Sequence, residues 1–164
     1  MRASQALDPD LRLQHARDAA WLALNRRDHT EAEMARVLTR KRVDPETIEA
    51  VVVELREQGY LDDARYAQRF AEDRRRLDAW GPERIERQLA ERGVAREHID
   101  AALGPPDEAA QLEEALALLA RRFPAPPATP RERDRALGVL VRKGYALELA
   151  YDAVRRHTGA SHVD

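Results

Sequence analysis

One turn recurs along this chain at a fixed interval of 51 residues. Leu38, Leu89 and Leu140 are followed five residues on by Val43, Val94 and Tyr145, and Gly93 and Gly144 directly precede the last two. The same interval carries Ile48 to Ile99 to Ala150, and Val52 to Leu103 to Val154. An interval kept without a gap across two helices marks tandem copies of one supersecondary unit. Each copy is too small to bury a full core alone, so neighbours must stack.

The clearest copy runs from Gly59 to Val94. Gly59 suits the left-handed cap that ends a helix, and Asp62 is placed to accept backbone N–H groups at the next helix start. Tyr66, Phe70 and Leu77 fall on one face of the helix that follows, which predicts that this face packs inward. Gly81-Pro82 opens another helix with proline at its first position, and Trp80 and Ile85 can staple across that start. Phe70 and Ile85 are expected in the core.

The flanking copies read the same way. Asp8-Pro9 or Asp10 can start a helix to about Arg27, with Leu13, Ala16, Ala20 and Leu24 on one face. Thr30-x-x-Glu33 is a capping box, and Asp44-Pro45 is an N-cap followed by a proline. Ile48, Val51, Val52 and Leu55 give the i, i+3, i+4, i+7 spacing of a half-buried helix. After Gly104-Pro105-Pro106, Asp107 caps a stretch with Leu112, Leu116, Leu119 and Phe123. The run 124–130 is too proline-rich for a helix and reads as a connector. Thr129 and Glu132 make a second capping box about one turn earlier than the interval requires, and Leu137, Leu140 and Val141 are expected to face inward. Leu147, Ala150, Tyr151 and Val154 mark the last helix.

No stretch alternates like a strand. The expected fold is all-α, with nine helices in three tandem three-helix repeats that form an elongated, curved array. The expected bounds are a flexible tail at 1–10, repeats at 11–59, 60–104 and 105–157, and a second tail at 158–164.

Composition removes most chemistries. The chain has 164 residues, 43% hydrophobic and 35% charged, and no cysteine, which excludes disulfides and thiolate sites. Its two serines, Ser4 and Ser161, lie in the expected tails, and its five histidines form no metal-binding pair. No enzyme activity, metal or cofactor is expected. No apolar run reaches membrane-span length, and the start MRASQALDPD carries no apolar signal core, so a cytoplasmic protein is expected. The net charge of −2 gives no global attraction to nucleic acid.

Arginine supplies the candidate binding residues. Arg65, Arg69 and Arg76 share one helical stripe beside the expected core face, and Arg74 and Arg75 complete a run with Arg76. Arg84 and Arg87 are expected to point outward from the next helix. Arg131, Arg133, Arg135, Arg142 and Lys143 form a second cluster. Glu72, Asp73, Glu83 and Glu91 lie among them, so a salt-bridged solvated surface is the plainer reading. The functional reading is a docking surface for acidic protein or phosphate groups.

The pattern Gly59-Tyr60-Leu61-Asp62-Asp63, Tyr66-Ala67, Gly81-Pro82-x-x-Ile85, Leu89 and Gly93-Val94, with Arg142-Lys143-Gly144-Tyr145, resembles the RecX family. The resemblance covers about residues 15 to 157. It departs at Arg42, where the other two copies carry glycine. It implies three tandem three-helix repeats and a monomeric, non-catalytic modulator of the RecA recombinase. Such a protein binds RecA filaments on single-stranded DNA. It restrains filament growth, ATP hydrolysis, strand exchange and coprotease activity in the response to DNA damage. Single- or double-stranded DNA is a further candidate partner, and the competing reading is a helix-turn-helix-like protein that binds DNA directly.

Overall fold

The structure is a computed structural model that describes residues 8–159. Among the described residues it contains nine helices and no strand. The first unit holds α1 (Pro9–Arg26), α2 (Glu31–Arg40) and α3 (Pro45–Glu57). The second holds α4 (Asp63–Asp78), α5 (Pro82–Glu91) and α6 (Arg96–Leu103). The third holds α7 (Glu108–Arg122), α8 (Pro130–Lys143) and α9 (Leu147–Gly159).

Local chemistry sets most helix starts. Asp8, Thr30, Asp44, Asp62, Asp107 and Thr129 each accept a backbone N–H from the first turn, and Thr30 and Thr129 complete capping boxes with Glu33 and Glu132. Asp8 thereby draws residues 9 and 10, expected in the tail, into α1. At the other end α9 runs through Gly159, where a tail was expected from 158. Residues 1–7 and 160–164 of the expected tails lie outside the described residues.

The recurring turn has the same geometry three times. The N–H of Val43, Val94 and Tyr145 donates to the carbonyl of Leu38, Leu89 and Leu140 at 3.0, 3.1 and 3.1 Å. This six-residue closure needs a left-handed residue just before it. Arg42, Gly93 and Gly144 supply it with φ of 62°, 78° and 101°. Arg42 therefore adopts the glycine conformation of its counterparts and carries a steric cost of about 1 kcal/mol.

Each unit has its own core, although the size of a single copy suggested that it could not form one alone. Ala16, Met34, Leu38, Val51 and Leu55 fill the first, Ala67, Ile85, Leu89 and Ile99 the second, and Leu119, Leu140, Tyr145 and Val154 the third. Leu61 belongs to the first core although the expected boundary put it in the second unit. The broad helix–helix contacts all fall inside a unit, so the fold is a repeat array.

Two residues that the sequence pattern turned inward, Leu77 and Val141, lie outside the core, and two that mark α9 are exposed with them. Leu77 is 63% exposed, and Val141, Leu147 and Tyr151 are exposed as well. On α4 the fully buried positions are Ala67 and Ala71, one residue on from Tyr66 and Phe70, which are half-buried. The reason is close packing: α4 lies against α6, tied by Gln68 to the Ala101 carbonyl and Arg75 to the Leu103 carbonyl. Only small side chains fit between helices at that approach, so the aromatic rings flank the contact. Ile85 is fully buried as expected.

The units join head to tail. The C-terminal turn of α5 meets the N-terminus of α2, where the Thr30 hydroxyl donates to the Arg92 carbonyl at 2.6 Å and Arg36 donates to the Glu91 carbonyl at 3.2 Å. One repeat on, the C-terminal turn of α8 meets the N-terminus of α5. There Gly81 N–H donates to the Lys143 carbonyl at 2.7 Å and Glu83 N–H to the Gly144 carbonyl at 3.1 Å. Carbonyl ends thus face amide ends, which aligns the helix dipoles favourably along α8, α5 and α2.

Candidate partner-binding surface

The arginines singled out in the sequence divide into two groups. One group is spent on the protein itself. Arg74 pairs with Asp78 one turn on, and its guanidinium lies 5.9 Å from the centroids of both Phe70 and Trp80. Arg75 donates to the Leu103 carbonyl at 3.1 Å. Arg84 stacks over Trp80 at 4.1 Å and donates to the Arg142 carbonyl at 3.1 Å. The expectation that Arg84 points into solvent fails because unit 3 seats its last α8 turn on that start. Lys143 donates to the Asp78 carbonyl at 2.8 Å, across the same junction.

The other group is exposed. Arg65 donates to the Gly59 carbonyl at 2.9 Å, Arg69 sits 3.7 Å from Asp28, and Arg76 sits 3.9 Å from Asp73. Arg87, Arg131, Arg133, Arg135 and Arg142 are also exposed. Arg65 and Arg69 share a shallow depression with Asp28, Tyr60 and Tyr66, whereas Arg76 stands near the far end of α4. Exposed ion pairs of this kind contribute at most ~1 kcal/mol each, so these side chains cost little to redirect toward a partner.

Sequence reasoning missed the aromatic ladder on which part of the first group rests. Tyr66 stacks on Phe70 at 6.1 Å, and Phe70 meets Trp80 edge-on at 6.0 Å. Arg92 covers Phe70 at 4.6 Å, Arg74 lies between Phe70 and Trp80, and Arg84 covers Trp80. The rungs are half-buried. Aromatic rings under guanidinium groups are rigid and only partly desolvated, which is the chemistry of interface hot spots. The signal was present as Tyr66, Phe70 and Arg74 at i, i+4 and i+8, but Arg92 joins only through the fold. Burial pushes the Tyr66 phenol upward, with the nearby Glu33 charge acting in the same sense.

Two carboxylates at the first junction are shifted in opposite directions. Burial raises Asp63, although its carboxylate accepts the Glu31 N–H at 3.0 Å. Burial also acts to raise Glu33, but Arg27 and the Thr30 amide together hold it below the ordinary range. Among the described residues, no three histidine or carboxylate side chains come together as a metal site, and no helix is long and apolar enough to cross a membrane. The surface is thus one of guanidinium groups and half-buried rings.

Comparison with known proteins accords with this architecture. Family models for the first and second three-helix domains of RecX match residues 16–63 and 62–103. The regulatory protein RecX of Halorhodospira halophila is 39% identical over 149 residues, 90% of this chain and 89% of that one. The regulatory protein RecX of Cronobacter sakazakii is 34% identical, over 80% and 85% of the two chains. The crystal structure of RecX from Lactobacillus salivarius superposes with a TM-score of 0.76 at 18% identity, covering 92% of this chain and 99% of that one, and so shares the fold. Repeat geometry, core positions and these alignments lead to one assignment: the chain belongs to the RecX family.

Proposed function

We propose that this protein is a non-catalytic regulator of the RecA recombinase. It binds RecA filaments on single-stranded DNA and restrains filament growth, ATP hydrolysis, strand exchange and coprotease activity, acting as a cytoplasmic monomer. Membership of a family whose relatives are named regulatory proteins carries this reading. A row of three separately cored units suits a linear partner, because successive units can meet successive subunits. Such a bridge disfavours the active filament if it binds another arrangement of the subunits more tightly. The contacts proposed are the exposed arginines, with Arg65, Arg69 and Arg76 foremost, Arg87, Arg131, Arg135 and Arg142 beside them, and the Tyr66–Phe70–Trp80 ladder. Arg74, Arg75, Arg84 and Lys143 support that surface from within.

The test is RecA's DNA-dependent ATP hydrolysis, titrated with protein at two salt concentrations. Replacing Arg65, Arg69 and Arg76 together by alanine is expected to shift the inhibition curve about tenfold to higher concentration, because charges desolvated at an interface matter more than charges in water. The control removes Arg26, Arg40 and Arg122, which are exposed outside α4 and α5. Arg17 and Arg36 would be poor controls, since they bond Glu54 and the Glu91 carbonyl. Equal shifts in both variants would reduce the effect to general charge. Binding to bare single-stranded DNA, measured alongside, separates the direct DNA reading, which requires a steep fall with salt in the absence of RecA.

A further inference from the structure

The third unit has a groove more apolar than its counterpart in the second. In the second unit the groove between α5 and α6 is lined by Glu83, Glu86, Asp100 and Leu103, and the start of α7 walls its far side. The interval of 51 carries these four to Asp134, Leu137, Tyr151 and Val154. Those residues line an open groove of about 590 Å³ between α8 and α9. Two acids of the internal groove have thus become leucine and tyrosine in the third unit. On the same face of α9, Leu147 stands where α6 has Arg96. Tyr151 and Leu147 are 55% and 54% exposed. An exposed apolar groove in place of an acidic one marks an interaction site rather than an ordinary solvated surface.

The groove of the second unit shows what can cover such a face. The far wall of the internal groove is a helix, and its lining includes the acids Asp107 and Glu114. The open groove has Arg133 on its α8 rim and Arg155 on its α9 rim. Arg155 also pairs with Asp152 at 3.2 Å. Asp134 is the acid of that lining, so its arginines outnumber it two to one. We propose that the α8–α9 groove is a docking site for a partner's amphipathic helix that carries an apolar stripe flanked by carboxylates. The stripe seats against Leu137, Tyr151 and Val154, and the carboxylates meet Arg133 and Arg155. This site lies on the third unit, apart from the α4 surface.

The experiment uses the full chain and two labelled synthetic peptides of about 15 residues, long enough to form a helix on binding. Both carry leucine at i, i+3, i+4 and i+7; one has glutamate and the other lysine elsewhere. Fluorescence anisotropy is expected to show the glutamate peptide binding at least about tenfold more tightly. The double variant Leu137→Glu and Tyr151→Asp restores the internal pattern and is expected to abolish that binding while helicity is kept. If it does not fold, Arg133→Glu with Arg155→Glu, both on exposed positions, decides the matter by reversing the preference toward the lysine peptide. No binding, equal binding of both peptides, or insensitivity to these variants would overturn the proposal. Self-association removed by the double variant would make a second copy the occupant. Binding that emerges only after deletion of residues 160–164 would make the chain's own end the occupant. Either result also overturns it. None of these readouts involves RecA, so they stand or fall separately from the regulatory reading.

Discussion

The Thr30 hydroxyl donates to the Arg92 carbonyl at 2.6 Å, and one repeat later the Gly81 amide donates to the Lys143 carbonyl at 2.7 Å. The two bonds join equivalent places with different chemistry. Thr30 caps its own helix by accepting the Glu33 N–H and still has a proton for the neighbouring unit. Gly81 has no side chain to cap α5, and the third unit supplies the missing acceptors. A residue with Cβ at position 81 would set that carbon 2.5 Å from the Gly144 carbonyl oxygen.

Gly81→Ala is therefore expected to loosen the second junction. The collision is with backbone, which cannot swing aside as a side chain does, so a loss of about 1–3 kcal/mol is expected in urea unfolding. Gly59→Ala tests conformation alone, since nothing lies near a Cβ there and only its φ of 80° opposes the change. New proteolytic sensitivity at the boundary between units 2 and 3 should appear in Gly81→Ala and not in Gly59→Ala.

Thr30→Val keeps the shape of a fully buried side chain and removes both of its hydrogen bonds. Loss of the cap and an orphaned Arg92 carbonyl together predict a destabilisation of about 2 kcal/mol. Thr30→Ser keeps both bonds and is expected to stay within about 1 kcal/mol of the parent by the same measurement.

Arg42→Gly should stabilise the protein slightly. Arg42 holds φ at 62°, and glycine removes that strain while adding freedom to the unfolded chain. The balance is a gain of up to about 1 kcal/mol, read as a higher midpoint in thermal unfolding. A lower midpoint would mean that the arginine side chain holds the end of the first unit.

Tyr145 predicts an alkaline transition. Its ring is buried, its hydroxyl donates to the Ala79 carbonyl at 3.0 Å, and burial, aided by Glu114, pushes the phenol up to about 12 from an ordinary 10. A phenol raised in the folded state contributes stability that is complete below pH 10 and lost as pH climbs to about 12. The loss amounts to about 2–3 kcal/mol. Tyr145→Phe should be about 1 kcal/mol weaker at neutral pH, where the hydrogen bond is missing. It should lack this share of the fall between pH 10 and 12, as pH-dependent denaturant unfolding would show.

The helices, caps and turns were legible because they depend on residues within five positions of one another. The Leu38–Val43 closure, its two copies and the Thr30 and Thr129 capping boxes are local hydrogen bonds, and local residue types encode them. The repeat interval followed from the same signals, and with it the three-unit plan. The phase of α4 was not legible. A pattern of large apolar residues marks Tyr66, Phe70 and Leu77, but the helix that packs on α6 decides that alanines must lie at the contact.

The arginines divide in the same way. Sequence by itself determined that this chain would present guanidinium groups at regular helical positions, because spacing along a helix is a local property. Which of them remain available was decided only by tertiary structure. Arg84 is drawn to a carbonyl 58 residues away, Lys143 to one 65 away, and the Tyr145 hydroxyl to one 66 away. Those acceptors exist together only once the third unit sits on the second, since each is the unsatisfied carbonyl of a helix end or turn that folding brings within reach.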